Sequence, residues 1–420
     1  MNKTTLLILF IFGMIANLGF GQIINRSGYI YSEISGKLAT MPSDSGNHYV
    51  EPTNSQLTTW KNTLENLLLG NYSIASDSAN SIGYNLVNFT DTFASTDVTY
   101  YILETIDSNY WGTYVYNPNY CRPLVIQSPH AKKDANTGLQ GIHLFRKTEA
   151  MFYEVNGTHR CNSSVYSSCT GTTTGCSSTS TSEPYPISDL AHNTQSLFQK
   201  TTEVLFKSFG NTYFIQFHGF TKLSTDPYVV LSSGAQNVPT PDYHSIFKTH
   251  LYNQDTVLTF KISHIDLSWT RLRGFWNTQG RLINGSPNPC TDDPTVGSGR
   301  FFHIEQERVR LRSNVTAWNK TVNALNNTFP CSYASVDEDY ITKTIKVYPN
   351  PTNDIITIEC DEIGFDLNSI SIFNTLGQEM NKQVSIDKTS VNQLEIDLGK
   401  LPAGLYFVRI NNETINVYKN

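Results

Sequence analysis

Between residues 123 and 217 two hydrophobic periods take turns. The runs Pro123-Leu124-Val125-Ile126 and Thr212-Tyr213-Phe214-Ile215 have the length and composition of buried strands. Around them, residues 137–151 and 189–208 carry apolar side chains at helical spacing, with a strand at 152–156 between them. Strands that alternate with helices pair in parallel and are covered by their own crossovers. The pattern therefore predicts an α/β domain with a mixed, mostly parallel central sheet flanked by helices. Upstream, a polar, loop-like lead from residue 22 gives way to a helix over Gln56 to Leu69, closed by Gly70, and to strands at 84–89, 98–103 and 111–116. Downstream come strands at 228–231 and 256–262, then a Gly/Asn/Pro-rich connection from Asn277 to Gly299. A last strand, Phe301 to Glu307, is expected to close the sheet, and Arg308 to Arg312 alternates like a strand beside it.

The N-terminus adds a compartment. Met1-Asn2-Lys3, the apolar run Leu6 to Ile15 and the small-residue stretch Gly19-Phe20-Gly21 form a secretory signal peptide over residues 1–21, with Gln22 left first. That run is too short to span a bilayer, and no later segment is long and apolar enough, so a soluble exported protein without a transmembrane segment is expected. In that compartment the six cysteines before residue 334 (Cys121, Cys161, Cys169, Cys176, Cys290, Cys331) read as up to three disulfides, with a local Cys169–Cys176 bridge pinning the Ser/Thr/Gly tract 163–182. A net charge of −6 over 420 residues, with no extended basic block, argues against nucleic acid as a partner. A monomer is expected.

After Cys331 the character changes. Residues 335–344 form a polar linker between a domain at 22–334 and a small C-terminal β-sandwich at 345–420, whose short strands recur at regular spacing. Three segments stand out: Val347-Tyr348-Pro349-Asn350-Pro351-Thr352-Asn353-Asp354, Ile370-Ser371-Ile372-Phe373-Asn374-Thr375-Leu376-Gly377-Gln378 and Leu401-Pro402-Ala403-Gly404-Leu405-Tyr406-Phe407-Val408-Arg409-Ile410. They resemble the C-terminal sorting domain of type IX secretion substrates. The resemblance implies a Bacteroidetes-type protein that engages the type IX machinery and is secreted or held at the cell surface.

Chemistry concentrates at the strand ends. His130 follows the strand at 123–127 and His218 ends the strand at 212–217, where open α/β sheets bind their ligands. A catalytic zinc takes three His, Asp or Glu ligands and an open position for water, and His130, Asp134 and His218 can supply them. Asp134 could instead cap the following helix, and Glu149 and Asp189 are the other candidates for the acidic ligand. A strand-borne carboxylate facing the same cleft would serve as base: Glu305, with Glu307 as competitor. Arg160 can meet a substrate carboxylate or an oxyanion. His159 and His192, the latter opening the 189–208 helix, are candidate substrate contacts, whereas His143 sits mid-helix and reads as structural. No Gly-x-Ser-x-Gly elbow is present to support a serine hydrolase.

Pro129-His130 with its following acid, Gly157-Thr158-His159-Arg160, Asp189-Leu190-Ala191-His192, Phe217-His218-Gly219-Phe220 and His303-Ile304-Glu305 together resemble the zinc carboxypeptidase and N-formylglutamate amidohydrolase superfamily over roughly residues 80–312. The resemblance implies a zinc carboxypeptidase-like fold with zinc held by His130, Asp134 and His218, Arg160 on the substrate and Glu305 as base. It further implies hydrolysis of amide bonds in peptides, peptidoglycan stems or N-acyl amino acids. It departs from the family at Asp134, since carboxypeptidases use His-x-x-Glu and here the acid is Asp, one residue further on. A non-enzymatic, glycan-binding surface protein is the second reading, suggested by 23 Tyr and 22 Phe. If the tail is only an address, deleting residues 345–420 should strand the protein in the periplasm while the purified remainder still shows a cooperative thermal unfolding transition. A remainder that does not fold would overturn the boundary.

Overall fold

The computed structural model describes residues 22–93, 96–331, 345–360, 370–390, 393–410 and 413–420. The expected signal peptide (1–21) and the expected polar linker (335–344) lie outside the described residues.

The region before the linker is built on one ten-stranded sheet. In chain order its elements are β1 (Ile24–Gly28), α1 (Ile30–Ala39), α2 (Asn54–Leu68), α3 (Tyr72–Asn80), β2 (Tyr84–Asp91), β3 (Val98–Thr105), β4 (Thr113–Tyr116), β5 (Arg122–Ser128), α4 (Thr137–Lys147) and β6 (Ala150–Val155). A small hairpin, β7 (Thr172–Thr173) and β8 (Glu183–Pro184), precedes α5 (Leu197–Ser208), β9 (Tyr213–Gly219), β10 (Val229–Ser232), α6 (Tyr243–Gln254), β11 (Phe260–Ile262), α7 (Thr278–Ile283), β12 (Phe301–Gln306), α8 (Arg308–Leu311) and α9 (Val315–Thr328). The strand order is β1-β2-β3-β4-β6-β5-β9-β12-β10-β11. Its centre, β6-β5-β9-β12, is parallel throughout, and antiparallel pairs flank it on both sides.

Both faces are covered, as an α/β sheet requires. One core joins Ile30 of α1, Phe145 of α4, Phe247 of α6 and Leu325 of α9 to alternate sheet residues such as Ile126, Phe217 and Ile304. On the other face Trp60 of α2, Ala75 of α3, Phe198 of α5 and Ile283 of α7 meet Val125, Phe152, Phe214 and Phe301. Period-two alternation thus decides which core each side chain enters. The helix from β5 to β6 lies on the first face and the helix from β6 to β9 on the second. The loops after β5 and β6 consequently part to opposite sides, which opens a crevice at the carboxyl ends of these strands.

Several boundaries differ from the sequence expectation. The lead 22–39 is a strand and a helix, because β1 finds a parallel partner in β2 that its own polar sequence does not advertise. Phe301 to Gln306 lies inside the sheet between β9 and β10, so β1 and β11 are the edges. Arg308 to Leu311 is helical, because both carboxylate oxygens of Glu307 accept backbone N–H groups, from Val309 at 2.7 Å and Arg310 at 2.8 Å. The helix expected over 189–208 begins only at Leu197, where Ser196 caps it by accepting Gln199 N–H at 3.1 Å. The connection 277–299 contains α7, capped by Asn277.

The tail has two antiparallel sheets, β13 (Ile345–Tyr348), β14 (Ile355–Cys360), β17 (Gln393–Asp397) and β16 (Ser385–Ser390) against β15 (Ile370–Asn374), β18 (Gly404–Ile410) and β19 (Glu413–Lys419). Ile356, Ile358, Leu394 and Ile396 from the first meet Ile370, Ile372, Val408 and Val417 from the second in one core.

The disulfides are Cys121–Cys331, Cys161–Cys176 and Cys169–Cys290. The expected Cys169–Cys176 bridge is replaced, because Thr170 pairs with the 290 region, its N–H donating to Cys290 O at 2.9 Å. Peptide mapping under non-reducing conditions should recover the Cys161–Cys176 and Cys169–Cys290 links. Replacing both cysteines of the Cys121–Cys331 bridge by serine should cost roughly 2 to 5 kcal/mol in denaturant unfolding. A Cys169–Cys176 peptide would contradict the fold.

Candidate metal centre

The crevice collects side chains from four strand ends. His130 and Asp134 sit on the turn after β5, where Asp134 N–H donates to His130 O at 2.8 Å. His218 lies near the end of β9, and Glu305 stands directly beside it on β12 in the parallel register. The loop after β6 delivers Arg160 and Asp189. Asn156 ties that loop to its neighbour, donating to Pro129 O at 3.0 Å and to Ser188 O at 3.2 Å.

Three donor atoms converge. His130 Nδ1 and His218 Nδ1 are 3.0 Å apart, and Asp134 Oδ2 is 3.3 Å from the first and 3.5 Å from the second. All three residues are buried. A tetrahedral ion with ligand bonds of about 2.0 to 2.1 Å separates its ligand atoms by about 3.3 Å, so the spacing fits zinc. The proton on His130 is placed by Asp189. Its carboxylate oxygen lies 2.7 Å from His130 Nε2 and only accepts, so Nε2 carries the hydrogen and Nδ1 presents a lone pair. Asp134 is not the helix cap. Asn136 occupies that place, and the Asp134 carboxylate instead accepts Gly219 N–H at 3.2 Å.

Electrostatics follow from burial. Burial works against the charged form of Asp134, but the adjacent His130 and His218 rings hold its pKa below the ordinary carboxylate range. Asp189 is treated the same way: burial opposes its charge, and Arg160 with His192 and His130 holds its pKa well down. Burial lowers His218 to about 4. Glu305 moves the other way, since burial first and then the Asp134 charge push it up to about 8. Its Oε2 is buried with no hydrogen-bond partner among the described residues.

The other sequence candidates separate. Arg160 is ion-paired through Nη2 to Asp189 Oδ2, and its Nη1 lies 3.3 Å from His130 Nδ1. His192 is not on the helix but five residues before it; its Nδ1 is 2.9 Å from Asp189 Oδ1, and its ring stacks on Tyr185 at 3.7 Å. His159 is turned to a local task, accepting Cys161 N–H at Nδ1 over 3.1 Å, and it does not line the cavity. Glu149 precedes β6, at the end of the sheet away from the crevice. Glu307 is engaged as the α8 cap. His143 is bound on α4, 2.8 Å from Asn319.

A cavity of about 350 Å³ opens over the centre; its wall includes His303, to which sequence reasoning gave no role of its own, and Tyr185, Arg273 and Trp276, which it did not single out. His303 shares a face with Glu305 and lies 4.4 Å, ring to ring, from His218. The Gly274 backbone passes so close that a Cβ there would meet the His303 ring at 2.7 Å, and its φ is +65°. Only glycine satisfies both demands. The loop beside it holds Arg273 over the Phe275 ring, 4.5 Å from its centroid. That glycine next to two aromatic residues was the available signal, but nothing in the sequence showed that the loop reaches His303.

Compared with solved structures, the chain is similar to the N-formylglutamate amidohydrolase from Ralstonia eutropha JMP134 at 12% identity and a TM-score of 0.32, over 52% of this chain and 95% of that one. A search of curated proteins finds no match. Among the described residues no helix is long and apolar enough to cross a membrane. Residues 346–420 match the family described as the secretion system C-terminal sorting domain. That segment is therefore a sorting domain, and the protein that carries it is a type IX secretion substrate, exported to the cell surface or released.

Proposed function

We propose that the exported protein is a zinc-dependent amide hydrolase whose metal is held by His130, Asp134 and His218. One observation carries the reading. Two buried imidazoles turn their Nδ1 atoms toward each other at 3.0 Å beside a carboxylate oxygen, an arrangement that repels itself unless a cation or proton lies between. A zinc ion held there supplies polarisation of a carbonyl and a nucleophilic water at neutral pH.

The chain's own residues do the rest. Glu305 lines the cavity, and its buried Oε2 has no hydrogen-bond partner among the described residues; it would take a proton from the attacking water and return it to the leaving amine. Burial and the Asp134 charge push its pKa up to about 8, and a nearby positive charge would draw it down toward the range of a working base. Arg160, locked by Asp189, offers its remaining guanidinium edge to an oxyanion or a substrate carboxylate. Arg273 on the opposing loop adds a second cation to the same wall. Substrates with an amide next to an anionic group fit this wall: peptides with a free carboxylate, peptidoglycan stems or N-acyl amino acids.

The purified full chain should contain about one zinc per molecule by elemental analysis, and a chelator should abolish amide hydrolysis reversibly. His218→Ala should lose the metal. Glu305→Gln should retain it while kcat falls about 10²- to 10⁴-fold, since only the base is removed. A chain that binds no zinc, or a Glu305→Gln variant as active as the parent, would sink the assignment.

A further inference from the structure

We infer that Gln216 is a positioning residue that decides which nitrogen of His218 faces the metal position, and that its own orientation is imposed by α7. The inference rests on the proposed metal centre. Gln216 precedes His218 by two residues on β9, points to the same face and is fully buried. Its Oε1 is 2.7 Å from His218 Nε2 and accepts a hydrogen bond from Asn277 Nδ2. Its Nε2 donates to Gln127 Oε1 at 3.0 Å and to Gln279 Oε1 at 3.1 Å.

A glutamine amide is nearly symmetric in shape, so something must prevent the opposite orientation. Two groups at the start of α7, its N-cap Asn277 and Gln279, do so independently. Asn277 is the N-cap of that helix, and its Oδ1 accepts Gly280 N–H at 3.0 Å. Its amide nitrogen is therefore the end left for Gln216, which must answer with oxygen. Gln279 donates from Nε2 to Leu190 O at 2.9 Å. A backbone carbonyl only accepts, so the Gln279 oxygen faces Gln216, which must answer there with nitrogen. Both requirements give the same orientation. Reversing Gln216 would set nitrogen against nitrogen at Asn277, and oxygen against oxygen at Gln127 and Gln279, all in a buried site.

The consequence reaches the metal position. Gln216 Oε1 has no hydrogen to give, so His218 Nε2 must carry one, and in the neutral ring Nδ1 is then the free lone pair. That is the atom 3.0 Å from His130 Nδ1. Asp189 imposes the same tautomer on His130 from the other side. The two rings are thus set by unlike acceptors, one a carboxylate and one an amide whose direction is fixed by a helix cap.

The test reads tautomer and metal affinity rather than turnover. In the metal-free full chain labelled with 15N-histidine, with the His218 signals identified by their loss in His218→Ala, the proton should sit on Nε2. Gln216→Met keeps the volume and removes the acceptor; its zinc affinity should fall about 10- to 100-fold. Gln216→Glu keeps an oxygen toward His218 but loses the donations to Gln127 and Gln279; it should melt lower than the parent while its zinc affinity stays within a few-fold. A packing role predicts the reverse order, because methionine suits a buried site better than a carboxylate. Thermal melts check that both variants are folded. Parent affinity in the Met variant, or a proton on His218 Nδ1 in the parent, overturns the inference. Should the Met variant not fold, the parent tautomer and the Glu variant still decide. A parent that binds no zinc would instead overturn the hydrolase reading, while the tautomer measurement on the metal-free protein stands by itself.

Discussion

A fully buried carboxylate organises the crevice. Asp189 accepts from His130 and His192 on one oxygen and pairs with Arg160 on the other. An isolated charge in that position would be costly, and three positively polarised partners offset the loss of water. Each of those partners comes to Asp189 from a different backbone position: the turn after β5, and the start and end of the loop after β6. The same carboxylate therefore holds two strand ends together and sets the proton on a candidate ligand. If it were absent, Arg160 would be a buried cation beside the proposed metal centre.

A polar seam continues from this point through the sheet. Glu154, Gln127 and Gln216 occupy neighbouring positions on β6, β5 and β9, all fully buried and joined side chain to side chain. Burial raises the pKa of the Glu154 carboxyl well above its ordinary value, against the hydrogen bonds it accepts from Gln127 and Thr202. Apolar residues at these positions would pack the face more simply. Amides instead give direction, because each donates one way and accepts the other. The seam ends on His218, which links the interior of the sheet to the centre at its edge.

The cavity wall is made from loops, and covalent ties limit their freedom. Cys161–Cys176 closes the Ser/Thr-rich tract on itself, while Cys169–Cys290 joins it to the segment after α7. Arg281 of α7 reinforces that junction, donating to Thr170 Oγ1 at 2.8 Å. The helix that orients Gln216 is thereby also fastened to the loop carrying Thr172, Thr173 and Tyr185 along the cavity. Export makes such bridges available, since they persist outside the reducing cytoplasm.

What could be read from the chain alone was local or periodic. Alternating runs announced the α/β centre, and His130 and His218 were visible as polar residues at the ends of strands. The sorting domain was legible because its segments are contiguous. Other features depended on partners distant in sequence. The lead 22–39 is too polar to announce a strand, and it becomes one by pairing with β2. Asp189 read as one acid among several until folding placed His130, 59 residues earlier, on its oxygen. His303 and the Gly274 loop meet only because β12 inserts beside β9. The period of a sequence determines which face a side chain takes within its own element, and this one determined the layers and the candidate histidines. Which atoms then meet, and which nitrogen carries the proton, was decided by tertiary structure, because a hydrogen bond forms between neighbours in space whose separation along the chain is not encoded in either residue.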